Sequence, residues 1–163
     1  MAKAKKGRDA ASDVIATNRR ARFDYEILET LEAGIALLGP EVKSLRAGRA
    51  NLGDAYATIR KGRAWLLNLH ISPYEQAGRS NPEPTRERAL LLHRNEIRRL
   101  GGKLAERGFT LVPLQLYWKS GRAKVELGVA RGKRRHDKRE TIRRRETDRE
   151  LSRALRSRGR SRP

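Results

Sequence analysis

The sequence predicts a mostly β fold with short helices: a small closed antiparallel barrel followed by a basic C-terminal tail, disordered when free and helical when bound. Three observations predict it. Short runs of alternating apolar residues recur between Phe23 and Val129, with hairpin-type turn signals between neighbours. Only one clear stretch, residues 84–108, repeats its apolar residues at helical spacing. The last fifth of the chain has almost nothing to bury. From Arg131 to Pro163 there are 15 Lys/Arg against 5 Asp/Glu, and the only sizeable apolar side chains are Ile142, Leu151 and Leu155. Such a segment cannot offset its ordering entropy alone and suits an acidic partner.

Residues 1–17 read as a basic flexible arm; Met1 to Arg22 carries 7 Lys/Arg and 2 acids. NRRAR, residues 18–22, brings that positive cluster to the edge of the fold. FDYEILETL places Phe23, Tyr25, Ile27 and Leu31 on one side, the pattern of a half-buried strand. EAG then reads as a turn, with Gly34 free to take positive φ, and IALLG as a short second strand. Pro40 suits the first turn of a helix over PEVKSLRAG, ending at Gly48, with Val42 and Leu45 on one face and Lys43 and Arg46 on another.

DAYATIR and AWLLNLHIS flank KGR as a hairpin, with Trp65, Leu67, Leu69 and Ile71 alternating in the second strand and Asn68 and His70 pointing the other way. PYEQAGRSNPEP holds three of the six prolines and reads as a loop. PTRERALLLHRNEIRRLGGKLAERG is the helical stretch, with Ile97, Leu100 and Leu104 as its apolar stripe and Gly108 as terminator. FTLVPLQLYW and RAKVELGVA close the body as a last strand pair around KSG. An oligonucleotide-binding (OB)-like β-barrel matches this size and strand pattern, over residues 18–130. In the tail, residues 131–163, Asp137 and Glu140 resemble a capping pair, so a helix is expected from about Asp137 once RNA neutralises the arginines.

The charge points to the partner. A net charge of +20 and a pI near 11.4 call for a polyanion. No apolar run approaches the roughly 20 residues of a spanning helix, no signal peptide is visible, and the tail has no aromatic ring except His136 to enter a membrane surface. Nucleic acid is the better partner. The lack of cysteine removes disulfides, thiolate metal sites and cysteine nucleophiles, and suits the cytoplasm. Aromatic residues make up only 5% of the chain, too few for a generic single-strand binder with stacking platforms. Recognition of a folded RNA by shape, phosphates and 2′-hydroxyls fits better.

No catalytic signature accompanies the charge. His70 on a strand reads as a structural histidine, His93 as a helix-edge residue or RNA contact, and His136 as an exposed ring able to stack on a base. Glu32, Glu41, Asp54 and Glu126 are the acids that would have to converge in an active site; each has a plainer role as a cap, an ion-pair partner or a solvated charge. The expectation is therefore no enzyme, no cofactor and no metal.

The blocks NRRARFDY, EAGIALLGPEVKSLRAGRANLGDAYA, LHISPY, PTRERALLLHRNEI, LVPLQLYW and VELGVARGKRRHDKRETI, in this order from about Asn18 to Arg145, resemble the SsrA-binding protein family, small protein B of bacterial trans-translation. The resemblance implies a non-enzymatic adaptor with an OB-like barrel. It would bind the tRNA-like domain of transfer-messenger RNA, one monomer per RNA, and with elongation factor Tu deliver it to stalled ribosomes. The implied RNA face contains Asn18, Arg19, Arg22, Tyr25, Glu32, Arg46, Leu91 and His93, with Lys119 and Lys124 as phosphate contacts. The tail would enter the small-subunit decoding centre and the empty mRNA channel through Lys133, Arg134, His136, Asp137, Lys138 and Arg139, with His136 stacking on a nucleotide. A cut after Ala130 is expected to spare folding and RNA binding and abolish tagging. A ribosomal or ribosome-assembly protein binding rRNA is the alternative that explains the same charge.

Overall fold

The computed structural model of the chain describes residues 14–133 and 135–158, with the backbone alone at 135–138, 155, 157 and 158. Nine strands and four α-helices follow one another among these residues. Strand β1 (Val14–Thr17) leads into helix α1 (Arg19–Asp24), strand β2 (Tyr25–Ile35) and helix α2 (Gly39–Arg46). Then come β3 (Ala50–Asn51), β4 (Tyr56–Arg60), β5 (Arg63–Leu67) and β6 (His70–Ile71), with a 3-10 turn at Glu75–Ser80. Strand β7 (Arg88–Leu91), helix α3 (Arg94–Ala105), strands β8 (Phe109–Lys119) and β9 (Arg122–Gly132) and helix α4 (Arg135–Arg158) complete the order. The fold is mostly antiparallel β. Seven strands lie in the order β1-β8-β4-β5-β7-β2-β9, and β9 also pairs with β8; β3 and β6 form a separate two-stranded ribbon.

The long strands carry the architecture. β2 pairs with β9 from Tyr25 opposite Gly132 to Gly34 opposite Lys124, and β8 pairs with β9 from Phe109 opposite Arg131 to Lys119 opposite Arg122. Their inward residues form one core in which Leu66, Leu111, Leu116, Val125 and Leu127 are fully buried. α3 covers this core with Leu100, and Leu104 packs beside it. A second cluster of Ala21, Val112, Leu114 and Ala130 lies where α1 packs on the strands.

Two hairpin tips are built alike. Lys61 and Gly62 link β4 to β5 with φ of 49° and 71°, and Ser120 and Gly121 link β8 to β9 with φ of 51° and 74°. Both central residues are left-handed, as a two-residue primed turn requires, so KGR and KSG form the hairpins expected of them.

Several local expectations are corrected. Phe23 belongs to α1, and the strand begins at Tyr25. EAG is no turn: β2 runs unbroken through Gly34, because that glycine lets the Leu91 side chain of β7 approach its backbone. A Cβ there would meet the Leu91 Cβ at 3.1 Å. AWLLNLHIS is two strands, since Asn68 takes φ 56° and shifts the parity. Ala64 and Leu66 face the core before it, and Leu69 and Ile71 after it. His70 is exposed on β6, so the structural-histidine reading fails.

RALL, inside the stretch read as helix, is strand β7, where pairing with both β2 and β5 overrides the helical pattern. Residues 14–17, assigned to the arm, are strand β1, paired along β8; residues 1–13 lie outside the described residues. β9 continues two residues beyond Ala130, and the Lys133 N–H donates to the Asp24 carbonyl at 3.0 Å. The body therefore ends at Lys133, because a cut after Ala130 would remove paired strand.

Candidate nucleic-acid interface

The expected RNA-face residues fall into three places. The first is the surface where β2, β9 and β8 lie side by side. Glu32 on β2 stands opposite Glu126 on β9, and alternation brings Lys124, Tyr117 and Lys119 to the same side. The Tyr117 hydroxyl donates to the Glu32 carboxylate, Lys119 Nζ lies 2.9 Å from Oε2 and Lys124 Nζ 4.0 Å from Oε1. The Tyr117 hydrogen bond, then that of Lys119, hold the Glu32 carboxyl below its ordinary value against its partial burial. Burial, then the same hydrogen bond, pushes the Tyr117 hydroxyl up. Glu32 is thus ionised and gathers two lysines and a hydroxyl around itself.

This surface continues into a hollow of about 550 Å³ whose lining includes Gly34, Leu91, His93, Lys124, Arg63 and Arg122. Leu91 is 60% exposed and contributes an apolar side chain to the lining. His93 sits at the N-cap of α3, its N–H donating to Glu96 at 2.8 Å, so its ring is carried on a fixed backbone. Lys124 belongs to both the hollow and the Glu32 group. Five of the ten expected residues, Glu32, Leu91, His93, Lys119 and Lys124, are therefore contiguous. Arg63 and Arg122 join them unannounced by the sequence, their signal being only that each directly follows a hairpin glycine.

The second place is α1. Asn18 caps this helix from inside the protein: at 4% exposure, its Oδ1 accepts from Ala21 N–H at 3.0 Å, and its Nδ2 donates to the Leu52 and Pro113 carbonyls, both at 3.1 Å. Both amide protons and one lone pair of the oxygen are used within the fold, so the side chain fixes the start of α1. Arg19 and Arg22 are exposed on that helix, and Arg22 reaches Glu126 at 3.7 Å, which links α1 to the Glu32 surface. Tyr25 is half-buried beside the second cluster and lines a cleft with Tyr56, Arg20 and Asp54. Arg46, the third place, is exposed on the last turn of α2 and lines neither the hollow nor the Tyr25 cleft.

The tail begins as helix α4, two residues before the expected start. Lys133 is half-buried, its Nζ 3.3 Å from the Arg22 carbonyl at the C-terminal end of α1, where the helix dipole favours a cation. The Arg145 guanidinium lies 5.3 Å from the Phe23 ring. Arg139 is exposed. Arg134 lies outside the described residues, as do the side chains of His136, Asp137 and Lys138, which occupy the first turns of the helix.

The four acids considered for catalysis go to three separate places. Glu32 and Glu126 face each other across β2 and β9, and Asp54 lies 3.7 Å from Arg20. Glu41 is buried on α2, held by Arg86 through two hydrogen bonds of 2.8 and 2.6 Å and by Arg88 Nε at 2.8 Å. Arg88, fully buried, gives its remaining donors to the Leu69, Arg86 and Pro84 carbonyls. This triad ties α2 to the segment entering β7, and nothing in the sequence pattern announced it.

A family model described as SmpB protein matches residues 15–157. Among curated relatives, the SsrA-binding protein of Levilactobacillus brevis is 56% identical over 155 residues, 95% of this chain and 98% of that relative. The SsrA-binding protein of Thermosynechococcus vestitus is 58% identical over 146 residues, 89% of this chain and 96% of that relative. A chain from the solved structure described as "tmRNA-SmpB: a journey to the center of the bacterial ribosome" is 55% identical, covers 79% of this chain and 94% of its own, and superposes with a TM-score of 0.64. With a family match spanning nearly all the described residues and relatives this similar over almost their whole length, the chain belongs to the SmpB protein family.

Proposed function

We propose that this protein is an RNA-binding adaptor of trans-translation, which binds the tRNA-like domain of transfer-messenger RNA and brings it to stalled ribosomes so that the nascent chain is tagged. It is an adaptor and not an enzyme, and works in the cytoplasm. The observation that carries the reading is the contiguous surface of Glu32, Lys119, Lys124, Leu91 and His93 on a family member. The lysines there supply phosphate contacts and Leu91 an apolar contact, while ionised Glu32 holds both lysines and can accept from a base amino group or a 2′-hydroxyl. Arg19, Arg22, Tyr25 and Arg46 extend the RNA face, and Asn18 serves it by fixing the start of α1.

The strands behind this face form a closed, OB-like barrel, a reading supported by pairing that leaves β8 through β4 and returns to it through β9. The segment that follows Lys133 acts separately as a tail, disordered when free, that becomes helical in the ribosome. Its described side chains are almost all exposed and make few contacts with the body. Lys133, Arg134, His136, Asp137, Lys138 and Arg139 enter the decoding centre and the vacant mRNA channel. Bound mRNA would fill that channel and exclude the tail, so selectivity for stalled ribosomes needs no sequence reading. Elongation factor Tu accompanies the monomeric adaptor and its RNA in the delivery complex.

The test is a salt titration of full-length protein with a tRNA-like domain, against a scrambled RNA of equal length. Selective binding is expected, with Lys124→Gln binding more weakly and with a salt slope shallower by about one. Equal affinity for the scrambled RNA would overturn the assignment.

A further inference from the structure

The hairpin joining β4 to β5 has a feature that the expected RNA face leaves unexplained. Arg60, Lys61 and Arg63 crowd its tip, and no acid occurs from Tyr56 to Leu67. Arg60 is already engaged, paired with Glu87 at 2.5 Å and with its guanidinium 5.6 Å from the Trp65 ring. Lys61 and Arg63 are exposed, and among the described residues neither has a carboxylate within 4.0 Å.

Lys61 also holds φ 49° at a turn position where Asn, Asp or Gly is preferred, a conformation costing an ordinary side chain about 1–2 kcal/mol. The turn thereby carries an exposed cation at its tip. Arg63 is the hinge between two surfaces. It lines the hollow with Leu91, His93 and Lys124, and also a second hollow of about 410 Å³ with Lys61 and Trp65.

We propose that Lys61 and Arg63 form a phosphate-binding edge that extends the RNA face from Lys124 onto the β4–β5 tip and holds the sugar–phosphate backbone of a duplex arm of the same RNA. The inference rests on the RNA-binding reading above. Backbone is the favoured target because Arg60 lies against the Trp65 ring and competes for its stacking surface. What remains at the tip, among the described residues, is two cations without a carboxylate partner, suited to a regular row of phosphates. Arg122, from the neighbouring β8–β9 tip, lines the same hollow, so cations from two hairpins border it.

The experiment compares full-length wild type, Lys124→Gln and the double variant Lys61→Asn/Arg63→Gln on the tRNA-like domain, with the scrambled RNA as competitor. Asparagine tolerates the left-handed turn, and thermal melts report whether the double variant is folded. Expected is weaker binding by the double variant, a salt slope shallower by about 1.8, and unchanged preference over the scrambled RNA, because phosphate contacts carry no sequence information. Wild-type affinity and slope in the double variant, with Lys124→Gln weakened, would overturn the edge and leave the functional reading standing. Loss of preference along with affinity would overturn the phosphate assignment. No preference in the wild type would overturn both.

Discussion

Glu41 looks, in sequence, like any first-turn helix acid, and the fold makes it the centre of a buried ion triad. Its Oε2 accepts from the Leu38 N–H at 2.8 Å while Arg86 and Arg88 enclose the rest of the carboxylate. Glu41→Ala strands a fully buried guanidinium, a change that destabilises by about 3–5 kcal/mol, and a large fall in melting temperature is the expected result. Burial pushes the Glu41 carboxyl up, but Arg86, the Leu38 N–H and Arg88 together hold it below its ordinary value of 4.5. A carboxylate lowered in the folded state contributes stability that is present above 4.5 and lost as pH falls through its folded value. Acid melts of wild type against Glu41→Gln check this: the wild type should lose stability more steeply below about pH 4.5. Asn18 teaches the same lesson at the interface. A polar residue beside arginines suggests an RNA contact, yet its side chain is buried and makes three hydrogen bonds within the fold.

Among the elements, the meeting of β2, β8 and β9 decides where the functional side chains stand. β2 shifts register between Ile27 and Glu29, and β8 between Pro113 and Gln115, where proline has no N–H to offer the ladder. Gly128 on β9 lies between these irregularities, and a Cβ there would meet Leu114 Cδ1 at 3.1 Å and Ile27 Cγ2 at 3.2 Å. Gly128→Val should therefore destabilise by about 1–3 kcal/mol through overpacking and disturb the spacing of Glu32, Glu126 and Lys124; chemical denaturation with an RNA-binding assay measures both. α3 is set in place by charge as well as by Leu100: Glu29 of β2 takes ion pairs from Arg99 and Lys103. The Lys103 hydrogen bond, working against burial and helped by Arg99, holds the Glu29 carboxyl down. The apolar stripe of this helix was plain in the sequence; the partner of its basic flank, far upstream in the chain, was not.

For the whole molecule, the separation is between a body with a core and a tail with charge. Truncation after Lys133 keeps all of β9 and its bond to Asp24, and is expected to retain cooperative unfolding and binding of the tRNA-like domain while abolishing tagging in a reconstituted translation assay. Loss of RNA binding in that truncation would mean that α4, through Arg145 on Phe23, belongs to the RNA face.

The features legible in the sequence are those set by local physics. Alternation marked the strands and glycine after lysine or serine marked both hairpin tips, because each depends on neighbours a few residues away. The family blocks likewise named the residues of the candidate face without saying how they meet. The tertiary structure alone decided that RALL is strand, that β2 runs through Gly34, that Asn18 turns inward and that Arg63 and Arg122 border the hollow. Each depends on a partner far along the chain, and burial and pairing with that partner outweigh the local preference.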